Sequence, residues 1–456
     1  MNFNLTSIAA EVNNIIKKTK NAHGFYTCKI FVKDHVLSPH KIVNIDIFED
    51  YLNNYSEEII IDLYLSSGTY ENIIVPNKEN IEIKIFNTPM PENNTTEDKN
   101  QEITIIEGRA VLTTTDNQFF SNKTSVTNRE DKDRLNIQLV RFQVINPILE
   151  PFRLQSAGGI YRQTTGIEVI KTLLVNGCNI NRVDEKYKVK GSNVVPGFNN
   201  EIKNQISIPQ GTKISDIPDY INKNIDGIYP TGFGFYLKKN IWYLYPTYDV
   251  DHFDKVNKTL TILKVPGDVL PVIDRTYEVS NGCVTIIANK GTMLEDRSDQ
   301  DQLNKGNGLR FTDAKSIMDG FVEVVGNIAT ASRGKNVSEF IMDSRNTGLN
   351  NVISTGIYIC SNMFYEMSKL SKRNGSIVEV AWEYSDSSLL YPCMPVKFVY
   401  QQGNNTSTIY GVLLAVHEMI TLEGKGFSAS KHKRSCKLSI FVKRRIEWNE
   451  DNIENE

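Results

Sequence analysis

The sequence predicts a mainly β protein with an α+β insertion: two tube-like antiparallel β-barrels plus a small α+β domain between them. Three observations lead there. Short segments of alternating apolar and polar residues recur towards both ends of the chain. Turn signals such as Ser66-Ser67-Gly68 and Pro76-Asn77 bound them. The stretch in between changes character and carries apolar residues at helical spacing.

Each element follows in order. Thr6–Lys20 places Ile8, Val12, Ile15 and Ile16 on one helical face. Strands are predicted at Phe25–Val32, Ile42–Phe48, Glu58–Leu65, Glu71–Val75 and Ile81–Phe86. Thr88–Gln101 and Asn117–Asp133 are polar and read as loops or insertions. Leu135–Ile145 alternates cleanly and returns to the first barrel, and Pro147 and Pro151 mark a boundary. Thr165–Val175 reads as a helix that Gly177 stops, and Ile217–Ile225 as a second short helix. Gly232–Leu237 and Asn240–Pro246 flank the turn Lys238-Lys239-Asn240 and predict a hairpin. Thr259–Val265 and Val284–Ile287 are further strands, and Leu294–Lys305 is acidic and polar. Ser354–Lys372 carries Ile357, Cys360, Met363, Phe364, Met367 and Leu370 on one helical stripe. Four strands follow at Ile377–Tyr384, Pro395–Gln401, Thr408–His417 and Arg434–Val442, with a hairpin signal at Gln402–Asn405. The expected organisation is an N-terminal barrel over 1–150, an α+β domain over 151–275, a second barrel over 276–450 and an acidic tail over 451–456. The two β-rich ends are candidates for diverged copies of one barrel.

The totals bound the function. A chain of 456 residues has length for two to four domains. The net charge of −3 gives no global field for holding nucleic acid. The six cysteines are scattered, without the C-x-x-C spacing of zinc or redox sites, and read as reduced thiols of a protein made in a cytoplasm. The N-terminus lacks the apolar core of a signal peptide, and no window reaches the ~20 apolar residues of a membrane span.

Catalytic groupings are thin, and the sequence assigns no catalytic, cofactor-binding or metal residues. His417-Glu418 opens like a zinc-protease motif, but Thr421 stands where the second ligand belongs. Asp249-Val250-Asp251 lacks the glycine and distal glutamate of a calcium loop and reads as a turn or partner-facing loop. Gly232-Phe233-Gly234 is too short for a dinucleotide fingerprint. Tyr229, Phe233, Phe235, Tyr236, Trp242, Tyr243, Tyr245 and Tyr248 crowd one hairpin; cross-strand packing or a protein interface is favoured over a platform for sugars or single-stranded nucleic acid. The basic cluster Lys431, His432, Lys433, Arg434, Lys437, Lys443, Arg444 and Arg445 reads as a solvated edge strand rather than a DNA-facing surface.

The C-terminal pattern carries a resemblance. Pro395-Val396-Lys397-Phe398, Val416-His417-Glu418 and Leu438–Val442, after the helix Ser354–Lys372, resemble the closing barrel of the baseplate hub of contractile-tail phages, a family related to the base of type VI secretion spike proteins. The helix Ile167–Val175 and the hairpin with Tyr245-Pro246 are similar to that family's inserted domain. The resemblance implies a structural protein, not an enzyme, without cofactors. It implies a homotrimer in which three copies of two barrels mimic a sixfold ring, joining the hexameric tail tube to the central spike. Baseplate wedge proteins would be neighbours, DNA would pass only through the lumen, and the location would be the virion tail baseplate, assembled in the host cytoplasm. The alternatives are another tail or baseplate component such as a wedge or tail ring, a tail-associated cell-wall hydrolase, and a receptor-binding module.

Overall fold

Alternation builds the first β-unit directly. In β1 (Gly24–Val32), Tyr26, Cys28, Ile30 and Val32 turn inward while Thr27 and Lys29 face solvent. A short β2 (His35–Leu37) folds back on it. In β3 (Lys41–Asp50), a register shift between Ile42 and Asn44 resets the alternation, so Ile42, Ile45 and Glu49 are all buried. β4 (Glu58–Ser66), β5 (Ile81–Pro89), β6 (Ile103–Leu112) and β7 (Ile137–Ile145) complete an antiparallel run in the order β3-β4-β7-β6-β5-β1. Their inward side chains, among them Ile61, Leu63, Ile83, Ile85 and Phe142, form one core.

The computed structural model describes residues 24–89, 103–113, 137–180, 185–225, 227–265, 276–288, 290–294, 309–311, 322–325, 328–331, 340–342, 368, 371–372, 375–402, 405–423 and 431–443. The expected helix Thr6–Lys20, the insertion Asn117–Asp133, nearly all of Thr88–Gln101, most of the helix Ser354–Lys372, the segment Leu294–Lys305 beyond its first residue and the tail Asp451–Glu456 lie outside these residues.

One expected strand is helical. Residues 67–77 form successive helical turns, not the strand Glu71–Val75. The Ser66 side chain caps the first turn by accepting from Thr69 N at 3.3 Å, Asn77 Nδ2 donates to Ile73 O at 2.9 Å, and Pro76 sits in the first turn of the last one. These local bonds override the β-branched composition, and Ile74 still reaches the core.

The inserted module begins with α1 (Leu149–Leu154) and β8 (Ser156–Thr164). Then comes α2 (Gly166–Asn179), capped by Thr165, whose Oγ1 accepts from Glu168 N at 3.3 Å. Gly177 lies inside this helix rather than stopping it. A Cβ there would meet Ile214 Cδ1 at 2.5 Å, so the glycine permits close packing. β9 (Gly191–Val194), β10 (Lys203–Lys213), β11 (Phe233–Lys238) and β12 (Ile241–Pro246) follow. β8 and β10 form a two-stranded ribbon; β11, β12 and β9 form a separate sheet. Lys239 and Asn240 adopt φ of 51° and 64°, which closes the predicted hairpin as a tight turn. Ile170, Leu174, Ile206, Leu237 and Trp242 share the module's core.

The second β-unit comprises β13 (Leu260–Lys264), β14 (Tyr277–Ser280), β15 (Cys283–Ala288), β16 (Lys290–Leu294), β21 (Ser376–Glu383), β22 (Pro395–Gln402), β23 (Asn405–Leu422) and β24 (His432–Lys443). Between them β17 (Leu309–Phe311) pairs with β20 (Phe340–Met342), and β18 (Val322–Val325) with β19 (Ile328–Ala331). β13 runs parallel to both β15 and β22, a departure from the purely antiparallel expectation.

The 18-residue β23 and its partner β24 connect the two units. Val412, Leu413 and Val416 pack in the second core, while Ile420 packs in the first. β23 pairs with β3, so one sheet runs through both units. β24 lies between β21 and β23, which corrects its expected place at a solvated edge. The observed class is mainly β. Among the described residues the ladders draw no closed barrel: β1 meets β24 at the single pair Gly24–His432, and β15 packs beside β21 without a shared ladder.

Candidate functional site

The sequence motifs resolve into packing and ion pairing. His417 and Glu418 lie within β23, with side chains on opposite faces. His417 stacks on Phe48 at 4.0 Å between centroids and meets Asp46 at 3.2 Å. Asp249 caps a short 3₁₀ helix, Val250–Lys255, by accepting from Asp251 N at 2.9 Å, and pairs with His252 at 2.5 Å. Its carboxyl is lifted by burial, but the bonds from His252 and Asp251 outweigh this and hold it below the usual range. Among the described residues, no group of three His, Cys, Asp or Glu side chains is placed to hold a metal ion. In the aromatic hairpin, Tyr236, Trp242 and Tyr245 are buried, and the Trp242 ring packs at a tilt against Phe235 and against Phe152 of α1.

The structure brings together a group that the motif search does not link. The segment 51–57, just after β3, is gripped from three sides. Tyr51 N donates to Leu414 O of β23 at 3.0 Å, Tyr245 Oη donates to Tyr51 O at 2.7 Å, and Leu237 N donates to Tyr55 O at 2.7 Å. Beneath it lies a buried ion pair: Lys238 Nζ donates to Glu49 Oε1 at 2.9 Å and Oε2 at 2.6 Å, and Tyr51 Oη donates to Oε2 at 2.6 Å. The pair spans 189 positions of sequence, from first β-unit to inserted module. Burial, then the Glu49 charge, pushes the Tyr51 phenol well up. Glu57 is pushed up to about 7 by burial and by the neighbouring Glu49 carboxylate. Tyr236 Oη, in the same group, is buried without a hydrogen-bond partner among the described residues.

A second buried charge group sits where β1, β23, β24 and the loop after β21 converge. Arg434 Nε donates to Glu418 Oε1 at 2.7 Å, its Nη2 reaches the same oxygen at 2.6 Å, and Nη2 also donates to Asp386 Oδ1 at 3.1 Å. Ser387 Oγ donates to Glu418 Oε2 at 2.5 Å. The Glu418 side chain is 2% exposed. Desolvation pulls Arg434 down, but the Glu418, Tyr26 and Asp386 neighbours raise it further above its ordinary value. Asp386 is lifted by burial and pulled lower still by Arg434. Lys433 pairs with Glu383 at 3.0 Å and the buried His432 ring meets Ile42 O at 3.2 Å, so with Arg434 three members of the basic cluster are engaged within the fold, while Lys431, Lys437 and Lys443 face solvent and Arg444 and Arg445 lie outside the described residues.

A third contact ties the module to β6. Glu107 takes Lys84 at 2.8 Å, Lys186, and Tyr187 Oη at 3.3 Å. Where the module faces the second unit, a cleft of about 190 Å³ is walled by Tyr243, Tyr391, Pro196, His252, Lys258 and Cys393. Three ion-pair groups, at Glu49, Glu418 and Glu107, thus bridge separate parts of the chain.

No family model matches the sequence, and no curated protein matches it. Several solved structures align with the chain at low identity. The E. coli c3393 protein, described as a component of the type VI secretion system with structural similarity to T4 bacteriophage tail proteins gp27 and gp5, is 9% identical over 91% of this chain and 77% of its own, with a TM-score of 0.38. The 43 kDa tail protein of prophage MuSo2 from Shewanella oneidensis is 10% identical over 91% of this chain and 98% of its own, with a TM-score of 0.43. A half-lidded Francisella PdpA-VgrG complex is 11% identical over 98% of this chain and 64% of the matched chain, with a TM-score of 0.40. At these scores the likenesses assign no family.

Proposed function

We propose that the chain is a structural hub of a contractile-tail baseplate, a trimeric adapter between a hexameric tail tube and a central spike. The observation that carries this reading is the threading of β23 and β24 through both β-units. Two β-lobes held on one pair of long strands make a rigid two-lobed block. Three such blocks present six lobes to a sixfold partner while keeping threefold symmetry for the other. The sequence features that resemble the hub family, Pro395–Phe398, Val416–Glu418 and Leu438–Val442, fall on the neighbouring strands β22, β23 and β24. In this reading residues 1–150 and 276–450 are the two barrels and 151–275 is the inserted domain. Buried ion pairs at the seams suit a part that must transmit force without bending. The neighbours would be the tail tube, the spike and the wedge proteins, in the virion baseplate, with DNA only in transit.

Two-dimensional class averages of the purified chain test this. A ring of three chains with six similar lobes agrees with the proposal. Rings of six chains point instead to a wedge or tail-ring component.

A further inference from the structure

The cleft between the inserted module and the second β-unit measures about 190 Å³. Pockets for whole small molecules run to roughly 300–1,000 Å³, so this one suits a contact of a few residues. One wall is β9, the outermost strand of the sheet β11-β12-β9. Just past its end, Val195 N donates to Leu244 O of β12 at 2.9 Å. Residues of a parallel strand bond alternately to either side, so the Val194 N–H and C=O face away from β12. The Val194 side chain packs on the module core, which leaves this backbone edge to line the cleft. Asn193 and Asn257 line it too, and among the described residues neither side-chain amide has a hydrogen-bond partner. The facing wall is the loop Tyr391–Pro395 that leads into β22. It is fixed in advance: Met394 N donates to Tyr391 O at 3.3 Å, Leu413 N to Met394 O at 3.0 Å, and the Tyr391 hydroxyl to Lys258 O. Tyr243 and Tyr391 lie 6.4 Å apart at 23° and make one aromatic surface across the cleft. Asp249 and His252 pair with each other. Lys258 is exposed, its ammonium 5.7 Å from the Tyr391 ring centre, and among the described residues no carboxylate meets it.

We propose that this cleft is a strand-addition site for an extended, acidic segment of another protein. The segment pairs with the free Val194 edge and lays an apolar side chain on the tyrosine surface. Its peptide groups take the Asn193 and Asn257 amides, and its carboxylate meets Lys258. Each part of the lining selects for this occupant. An open main-chain edge pairs with another main chain, and a lone cation selects an acid. A sugar would use the tyrosines and amides but leave the Val194 edge and Lys258 idle. A nucleic-acid strand would meet one lysine in the lining, too little charge to hold a phosphate backbone. Because its walls come from the module and from the second unit, the bound segment bridges the two. The inference rests on the cleft alone and is independent of the assembly proposed above.

Selection of phage-displayed random peptides on the purified full chain tests this. Expected are peptides with Asp or Glu beside an apolar residue. A fluorescein-labelled copy of an enriched peptide should bind about tenfold more weakly to Lys258→Glu, where attraction becomes repulsion. Selection on that variant should turn to peptides bearing Lys or Arg. Methylating the backbone nitrogens of the peptide should also weaken binding about tenfold, since strand addition uses its N–H groups. No enriched peptide, the same acidic preference on Lys258→Glu, or an affinity untouched by backbone methylation overturns the proposal. If Lys258→Glu does not fold, hydrogen exchange of the native chain decides. The Val194 amide should gain protection when the peptide is added, and its absence overturns the proposal.

Discussion

Replacing Arg434 with methionine tests the second buried charge group. The change keeps a long apolar side chain but removes three contacts: two to Glu418 Oε1, at 2.7 and 2.6 Å, and one to Asp386 at 3.1 Å. Glu418, 2% exposed, is left with the Ser387 hydroxyl and no cation. Breaking a buried pair from one side costs about 3–5 kcal/mol, because the surviving charge is stranded. Unfolding entropy of about 2.1 cal/mol/K per residue, over 456 residues, comes to about 1 kcal/mol/K. The melting temperature should therefore drop by about 3–5 °C if the chain unfolds as one unit, and by more if the second unit melts alone. Calorimetry gives the shift. Fluorescence of Trp382, buried on β21 opposite Cys436 of β24, helps assign it to that unit. Arg434→Met with Glu418→Gln should recover a large part of the loss, since no carboxylate is then stranded at position 418. A melting temperature within 1 °C of the parent for Arg434→Met alone would refute the reasoning.

Other perturbations read neighbouring features. Asp386 is held low by Arg434 against the lift of burial, so its contribution is present above the ordinary carboxylate range and lost as pH falls through its folded value; Asp386→Asn should flatten the acid limb of a stability–pH curve. Gly411→Ala should destabilise by about 1–3 kcal/mol in urea titrations, because a Cβ there lies 2.3 Å from Phe441 O on β24. Tyr236→Phe removes a buried hydroxyl that has no partner among the described residues, so it should leave stability within about 1 kcal/mol of the parent or raise it.

Local patterns of the fold were legible and long-range ones were not. β1, β4 and β5 declare themselves by alternation, and the β11–β12 hairpin by its polar turn between aromatic runs. β6 went unread because it follows a polar stretch and carries Glu107, Gly108 and Arg109 in its middle; Gly108 is there because a Cβ would meet Ile145 O at 2.6 Å. Glu71–Val75 reads as a strand but is helical, because capping by Ser66 and Asn77 outweighs its β-branched composition. The edge reading of β24 failed for a similar reason: three lysines face solvent, while Lys433 and Arg434 find carboxylates on other elements. The seams were the least legible part. Lys238 reads as a turn residue, and nothing within ten residues of it signals that it turns inward to Glu49. A signal did exist in Glu49, the acid at a buried position of an otherwise apolar strand face, but its partner is a matter of tertiary pairing.

Mass photometry of the purified chain tests the central claim most directly. Three chains of 51.8 kDa predict a species of about 155 kDa. That mass, alone or on addition of a spike protein, agrees with a trimeric adapter. A particle that stays at the mass of one chain in every mixture would contradict it.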